Sequence, residues 1–270
     1  MEETSSILPI TSAVLSIVFA YLIGSIPFGL IVARVMGGID IRDHGSGNIG
    51  LTNVIRTLGW GPGVVTGLLD FFKGYLPVFF ALTTFSPQDF GGVAAIPESI
   101  VIMVAAAVVL GHLYPVYLLF RGGKGVATAF GVMSALMGVY IFIPVAVFGL
   151  ILFLFRFVSL ASIVAAISVP LTILVVTSKL PFISQESATG PGLLSAFTWV
   201  VAALIVWRHK ANITRIFAGT EPRISRPKEP LIPSLAEKLA RRKQAAAQHD
   251  PADAGAKTEE GGASETEQES

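Results

Sequence analysis

The sequence predicts an all-α, polytopic integral membrane protein of about seven transmembrane helices, N-terminus outside and C-terminus in the cytoplasm. Three observations carry that expectation. Of 270 residues, 53% are hydrophobic and only 14% are charged, where a soluble domain carries about 25% charged residues. Apolar stretches near the ~20 residues that span a bilayer recur along the chain. The Lys and Arg residues between them fall on alternate connections, as the bias of cytoplasmic loops requires.

The apolar stretches cover residues 10–36, 61–85, 100–120, 126–155, 159–177 and 192–207. The first is too long for the core of a signal peptide and no basic segment precedes it, so it reads as a retained helix. Glu2 and Glu3 stand ahead of it and no Lys or Arg comes before Arg34, which puts the N-terminus outside. Arg42 and Arg56 place the next connection inside. Residues 86–99, with Asp89 and Glu98 and no basic residue, lie outside, and Arg121 and Lys124 return the chain to the inside. As one straight helix, residues 126–155 would be roughly 45 Å long, beyond the ~30 Å hydrocarbon core. Gly138 and Pro144 interrupt this run. Two short helices folded there bring Arg156 inside and leave Arg208, Lys210 and Arg215 inside as well. Seven crossings satisfy every basic residue; five is the fallback if the middle pair is one unit or is re-entrant.

Residues 1–225 form the membrane domain, and the composition changes after it. "PSLAEKLARRKQAAAQ" reads as a basic amphipathic segment for an anionic inner leaflet. "AGAKTEEGGASETEQES" is acidic and poor in apolar residues, so residues 226–270 are expected to be a cytoplasmic tail with a disordered end.

Three polar islands share the inside face under this topology. The first runs Gly45-Ser46-Gly47-Asn48-Ile49-Gly50 and continues to Thr52, Asn53 and Arg56. Glycines let the backbone turn N–H groups towards one centre and form an anion-binding nest. Ser46, Asn48 and Asn53 add neutral donors, and Arg56 can grip a phosphate with two parallel hydrogen bonds. The second island, Gly122-Gly123-Lys124-Gly125 to Thr128, leads into an apolar helix. It lacks the spacing of a Walker A motif, yet it offers a lysine and free N–H groups at a helix N-terminus. The third places His209 and Asn212 one helical turn apart, with Arg215 and Glu221 beyond. Together they bring Arg56, Lys124, His209 and Arg215 to one face, a cationic pocket suited to a phosphate ester. Within the membrane, Asp70 and Lys73 stand at i and i+3 and can pair to orient the neighbouring loop. Ser159, Ser162, Ala165, Ala166 and Ser168 read as small residues for close helix packing.

The chain has no cysteine, which excludes disulfides, thiolate nucleophiles and cysteine metal ligands. Four histidines without an HExxH pattern give no zinc site. No metal, cofactor or nucleic acid is expected.

"GSIPFG", "GSGNIGLTNVIRTLG", "LLDFFKGYLPV", "GHLYPVYLLFRGGKGVATAFG", "RFVSLASIVAA" and "RHKANITRIFAGTEPRI" follow one another in an order that resembles the PlsY family. Those are bacterial acyl-phosphate-dependent glycerol-3-phosphate acyltransferases, and the resemblance covers about residues 10–224. It implies a helical fold in the bacterial inner membrane with catalytic loops on the cytoplasmic side. It also implies transfer of a fatty acyl group from acyl phosphate to the 1-position of glycerol 3-phosphate, forming lysophosphatidic acid. By motif position, Ser46 and Arg56 match the family's essential serine and arginine. Lys124 and its glycines match the glycerol phosphate loop, and His209, Asn212 and Glu221 match the C-terminal motif. Leu51 stands where alanine is usual, and Lys210 where a more acidic residue is usual; neither change removes a donor. The resemblance implies as partners the two substrates, the bilayer and a phosphotransferase that makes acyl phosphate.

No histidine is followed five residues later by an aspartate, so the His–Asp base of acyl-CoA acyltransferases is absent. Direct transfer by positioning and charge stabilisation is the expected chemistry. The alternatives are a Ser46 acyl-enzyme with His44 or His209 as base, and, in another class, a transporter of an organic phosphate.

Overall fold

The computed structural model describes residues 2–93, 95–176 and 190–224, with residues 239, 240 and 244. Among these residues the regular structure is helical throughout. In chain order the helices are α1 (Glu2–Ser25), α2 (Phe28–Val32), α3 (Leu51–Leu58), α4 (Trp60–Thr84) and α5 (Ala95–Leu113). They continue as α6 (Val126–Met137), α7 (Phe142–Phe155), α8 (Val158–Val176), α9 (Gly190–Arg208) and α10 (Lys210–Phe217). The expected tail, residues 226–270, lies outside the described residues apart from 239, 240 and 244.

The first apolar stretch is broken between α1 and α2. Pro27 supplies no N–H to continue the ladder, so the chain restarts at Phe28 and runs through a π-helical turn to Gly38. α4 packs against α6, α3 and α5, α1 against α5, α7 against α8, and α8 against α9. The main core gathers Val104, Ala105 and Val108 of α5 with Val132, Met133 and Leu136 of α6. A second cluster of Leu30, Ala33, Ile41, Ile49, Val54 and Leu58 pins the first polar island onto α2 and α3. Outer faces carry exposed Phe19, Phe80, Phe153 and Leu174, as a surface solvated by lipid requires.

Five stretches are long and apolar enough to cross a membrane: Pro9–Gly37, Trp60–Thr84, Ile96–Leu118, Val126–Phe155 and Val158–Val176. A sixth follows if Gly192–Arg208 and Lys210–Phe217, bent by 56°, count as one span. Length and composition therefore give five or six spans and not the expected seven, because residues 126–155 count once. Their geometry is more specific. Lys124 and Ser159, at the two ends of this segment, both join the Asn212–Glu221 pair. A straight helix would hold those ends roughly 50 Å apart, so the segment doubles back. The 3-10 turn Gly138–Ile141 makes the reversal, with Gly138 at φ 53° and ψ −127°, a conformation open to glycine.

Candidate active site

The first island is built around Asn53, buried on the first turn of α3. Its Oδ1 accepts from the Ser46 N–H at 2.9 Å, and its Nδ2 donates to the carbonyls of Asn48 (2.9 Å), His44 (3.0 Å) and Ile41 (3.3 Å). Gly45 turns through φ 60° directly over that amide, and a Cβ there would stand 2.3 Å from Asn53 Oδ1. Asn53 was expected among the phosphate donors, yet its amide is committed to the shape of the loop. Asn48 Oδ1 accepts from the Gly50 N–H at 2.8 Å. Upstream, Asp40 caps a 3-10 turn and binds Arg42 and Arg34; the Arg42 hydrogen bond holds the Asp40 carboxyl well below the usual carboxylate range. Ser46 is left exposed and Arg56 half-buried, and neither side chain makes a hydrogen bond within the described residues.

The second and third islands interlock. Arg208 forks onto the second, donating from Nε to the Gly123 carbonyl at 3.0 Å and from Nη2 to the Gly122 carbonyl at 2.5 Å. Lys124 Nζ donates to Asn212 Oδ1, and Asn212 Nδ2 donates to Glu221 Oε1 at 2.7 Å. Glu221 also accepts from Ser159 Oγ (2.7 Å) and from Arg215 Nε (2.8 Å). Burial pushes the Glu221 carboxyl up, but the hydrogen bonds from Asn212, Ser159 and Arg215 outweigh it, and its pKa is lowered. Lys124 is shifted down to about 8, first by desolvation and then by Arg215, Arg56 and Arg208, against the pull of Glu221. His209 is buried with Nδ1 2.8 Å from the Ile205 carbonyl. A carbonyl only accepts, so Nδ1 carries the proton and Nε2 is the acceptor in the neutral ring.

Beneath the second island lies a buried polar chain. Asp70 and Lys73 pair at 2.8 Å, Lys73 Nζ donates to the Ile26 carbonyl at 2.8 Å, and His112 Nδ1 stands 3.7 Å from Asp70 and 3.0 Å from Thr128 Oγ1. Thr128, also expected at the phosphate, is fully buried in this chain and faces His112 instead.

A cavity of about 390 Å³ joins these parts. One end is lined by Ser46, Asn48, Asn53, Arg56, Lys124, Gly125, His209, Asn212, Arg215 and Glu221. The other is apolar, with Phe130, Met133, Phe148, Ala165, Val201 and Ile205. Of the residues singled out in the sequence, Ser46, Asn48, Asn53, Arg56, Lys124, Gly125, His209, Asn212 and Glu221 line it. Gly45, Gly47, Gly122, Gly123, Thr128, Asp70 and Lys73 are not among the lining residues. Ser159, whose spacing suits close helix packing, also holds Glu221 and lines the cavity. Its place at the start of a helix, after the isolated Arg156, was the signal available.

A cationic, donor-rich end opening into an apolar chamber within a helical membrane bundle is the arrangement of an enzyme that joins a phosphate ester to a lipid chain. Comparison with known proteins specifies the class. The family model described as glycerol-3-phosphate acyltransferase matches residues 14–219. A glycerol-3-phosphate acyltransferase of Geotalea daltonii is 41% identical over 78% of this chain and 97% of its own length. One of Endomicrobium trichonymphae is 42% identical over 78% and 95%. The crystal structure of PlsY (YgiH), an integral membrane glycerol 3-phosphate acyltransferase, in its glycerol 3-phosphate form, superposes with a TM-score of 0.68 at 40% identity, covering 79% of this chain and 96% of that one. The chain is a multi-pass membrane acyltransferase. It belongs to the glycerol-3-phosphate acyltransferase family.

Proposed function

We propose that this enzyme transfers a fatty acyl group from acyl phosphate to the 1-position of glycerol 3-phosphate, forming lysophosphatidic acid and inorganic phosphate. The observation that carries the reading is a cavity that is cationic at one end and apolar at the other. The chemistry is direct. The glycerol hydroxyl oxygen attacks the acyl carbonyl carbon, the bond from that carbon to the phosphate oxygen breaks, and the departing phosphate takes the hydroxyl proton. Acyl phosphate is already an activated mixed anhydride, so the protein supplies position and charge. Arg56, Lys124 and the N–H groups at the start of α6 hold the two phosphates; Ser46 and Asn48 orient them; His209 and Asn212 close the polar end. Asn53, Gly45 and Gly47 shape the first loop, and Gly122, Gly123, Thr128, Asp70 and Lys73 support the second.

The site faces the cytoplasm, with seven crossings, the N-terminus outside and the tail inside. Support comes from Arg56, Lys124, Arg156, Arg208 and Arg215, which gather at the end of the bundle where the islands meet, as cytoplasmic basic residues do. Counting the doubled-back segment as two passes rather than one, and α9 with α10 as one span, gives seven. A phosphotransferase that makes acyl phosphate is the partner this substrate requires.

The test is an assay in detergent. Purified protein given acyl phosphate and glycerol 3-phosphate should form lysophosphatidic acid without a sealed compartment. No product in detergent, together with uptake of glycerol 3-phosphate into sealed vesicles, would replace the enzyme with a transporter.

A further inference from the structure

Arg208 closes α9, the last long apolar helix, where a basic residue ordinarily marks the cytoplasmic boundary. Its side chain does something more specific. It turns back over half-buried space and places two nitrogens on two consecutive carbonyls, Gly122 and Gly123, while its guanidinium lies 5.9 Å from the Tyr114 ring. It does not line the cavity, although its neighbour His209 does.

The consequence follows from peptide geometry. In a trans peptide the C=O of one residue and the N–H of the next point in opposite directions. With the Gly122 carbonyl drawn to Arg208, the Gly123 N–H must point the other way, and it meets the His112 carbonyl at 3.2 Å. With the Gly123 carbonyl drawn to Arg208, the Lys124 N–H points away from Arg208 in turn. No backbone acceptor among the described residues takes that N–H. Both peptide planes of the loop are thereby fixed, and two partially negative oxygens are covered on the side away from the anion site. Glycines at 122 and 123 are required by the packing: a Cβ on Gly122 would stand 2.1 Å from the His112 carbonyl, and one on Gly123 2.2 Å from His112 Nε2.

We infer that Arg208 is a positioning residue for glycerol 3-phosphate: by clamping the Gly122 and Gly123 carbonyls it leaves the Lys124 N–H aimed at the substrate phosphate, with the Gly123 N–H held by the His112 carbonyl, and it does so without touching the phosphate. The inference rests on the reading of this loop as the glycerol phosphate site.

The test compares Arg208→Lys and Arg208→Gln with wild-type enzyme in detergent. Lysine keeps the charge but cannot fork onto two carbonyls. Arg208→Lys should raise KM for glycerol 3-phosphate on the order of tenfold or more, as expected for losing a charge-assisted hydrogen bond. KM for acyl phosphate should stay within about twofold. Arg208→Gln should add a second effect. It removes one of the cations that depress Lys124, so the alkaline limb of the pH profile should move to higher pH, while Arg208→Lys leaves it in place. The groups facing Lys124 in that experiment are Glu221, Arg215, Arg56 and Arg208. Unchanged kinetics in Arg208→Lys would overturn the inference. So would an equal rise in both KM values with a fall in thermal stability, the signature of a merely structural arginine. Absence of lysophosphatidic acid from the wild-type protein would instead overturn the reading on which the inference rests.

Discussion

Lys124 and Asn212, 88 residues apart in sequence, are joined by a hydrogen bond from Nζ to Oδ1. The Asn212 amide passes the contact to Glu221, which gathers Ser159 and Arg215 as well. One asparagine therefore ties the second polar island to the third, and one carboxylate ties both to the start of α8. A side chain held this way is a preorganised point charge at the mouth of the cavity.

The two main phosphate cations should respond differently to conservative change. Arg56→Lys keeps the charge but loses the planar two-pronged donor, so kcat/KM should fall about tenfold or more. Lys124→Arg should be milder, because a point charge is being exchanged for another. Steady-state kinetics on both variants check this. Near-wild-type activity in both would place the phosphates elsewhere.

Lys124 also sets a pH dependence. Its pKa is lowered to about 8, so it is charged below that pH and loses its proton as pH rises through it. KM for glycerol 3-phosphate should therefore climb on the alkaline side of about pH 8. Lys124→Arg should abolish the climb. Glu221→Gln, which removes the negative charge that favours the protonated form, should move it to lower pH. A pH profile without an alkaline limb would show that Lys124 does not bind as a cation.

Asn53 and Ser46 lie in the same loop but should fail in different ways. Asn53→Ala strands the Ser46 N–H and three carbonyls, a cost of about 1–3 kcal/mol or more, and should lower Tm together with activity. Ser46→Ala breaks no hydrogen bond within the described residues and should leave Tm unchanged. Its kcat should fall by about 10²–10³ if the hydroxyl donates to transition-state charge. Thermal unfolding measured beside kcat separates the two. An equal loss of stability in both would remove the distinction.

Much of this was legible before any coordinates. The apolar stretches became α1, α4, α5, α8 and α9 because lipid forces uniform hydrophobicity and internal backbone pairing. Ser46, Arg56, Lys124, His209 and Asn212 stood out as candidates because cations and neutral donors at membrane ends have few other uses, and all five line the cavity. Three side chains have partners within the fold that the sequence does not display, for one reason. An amide or hydroxyl looks the same in sequence whether it serves a ligand or its own fold, so the fold partners of Asn53, Thr128 and Ser159 are invisible there. Only contacts across 62 residues, from Ser159 to Glu221, reveal the difference. Gly138 and Pro144 were readable as a break, but the angle there is set by the helices they pack on, and the break at Pro27 within residues 10–36 shows only in the fold.

The doubled-back segment predicts where Arg156 lies. A single cysteine placed at position 156 of this cysteine-free chain should resist an impermeant thiol reagent applied to intact cells and react after the membrane is opened. Ready labelling from outside would contradict two passes between Lys124 and Ser159.

The central claim is that one cavity holds both phosphates and passes the acyl group directly between them. Its most direct measurement is phosphate release by wild-type enzyme mixed with acyl phosphate, before and after glycerol 3-phosphate is added. Direct transfer predicts no release and no acylated protein in the first phase. It then predicts release of phosphate in step with lysophosphatidic acid in the second. A burst of phosphate equal to the enzyme present, with the acyl group recovered on Ser46, would contradict it.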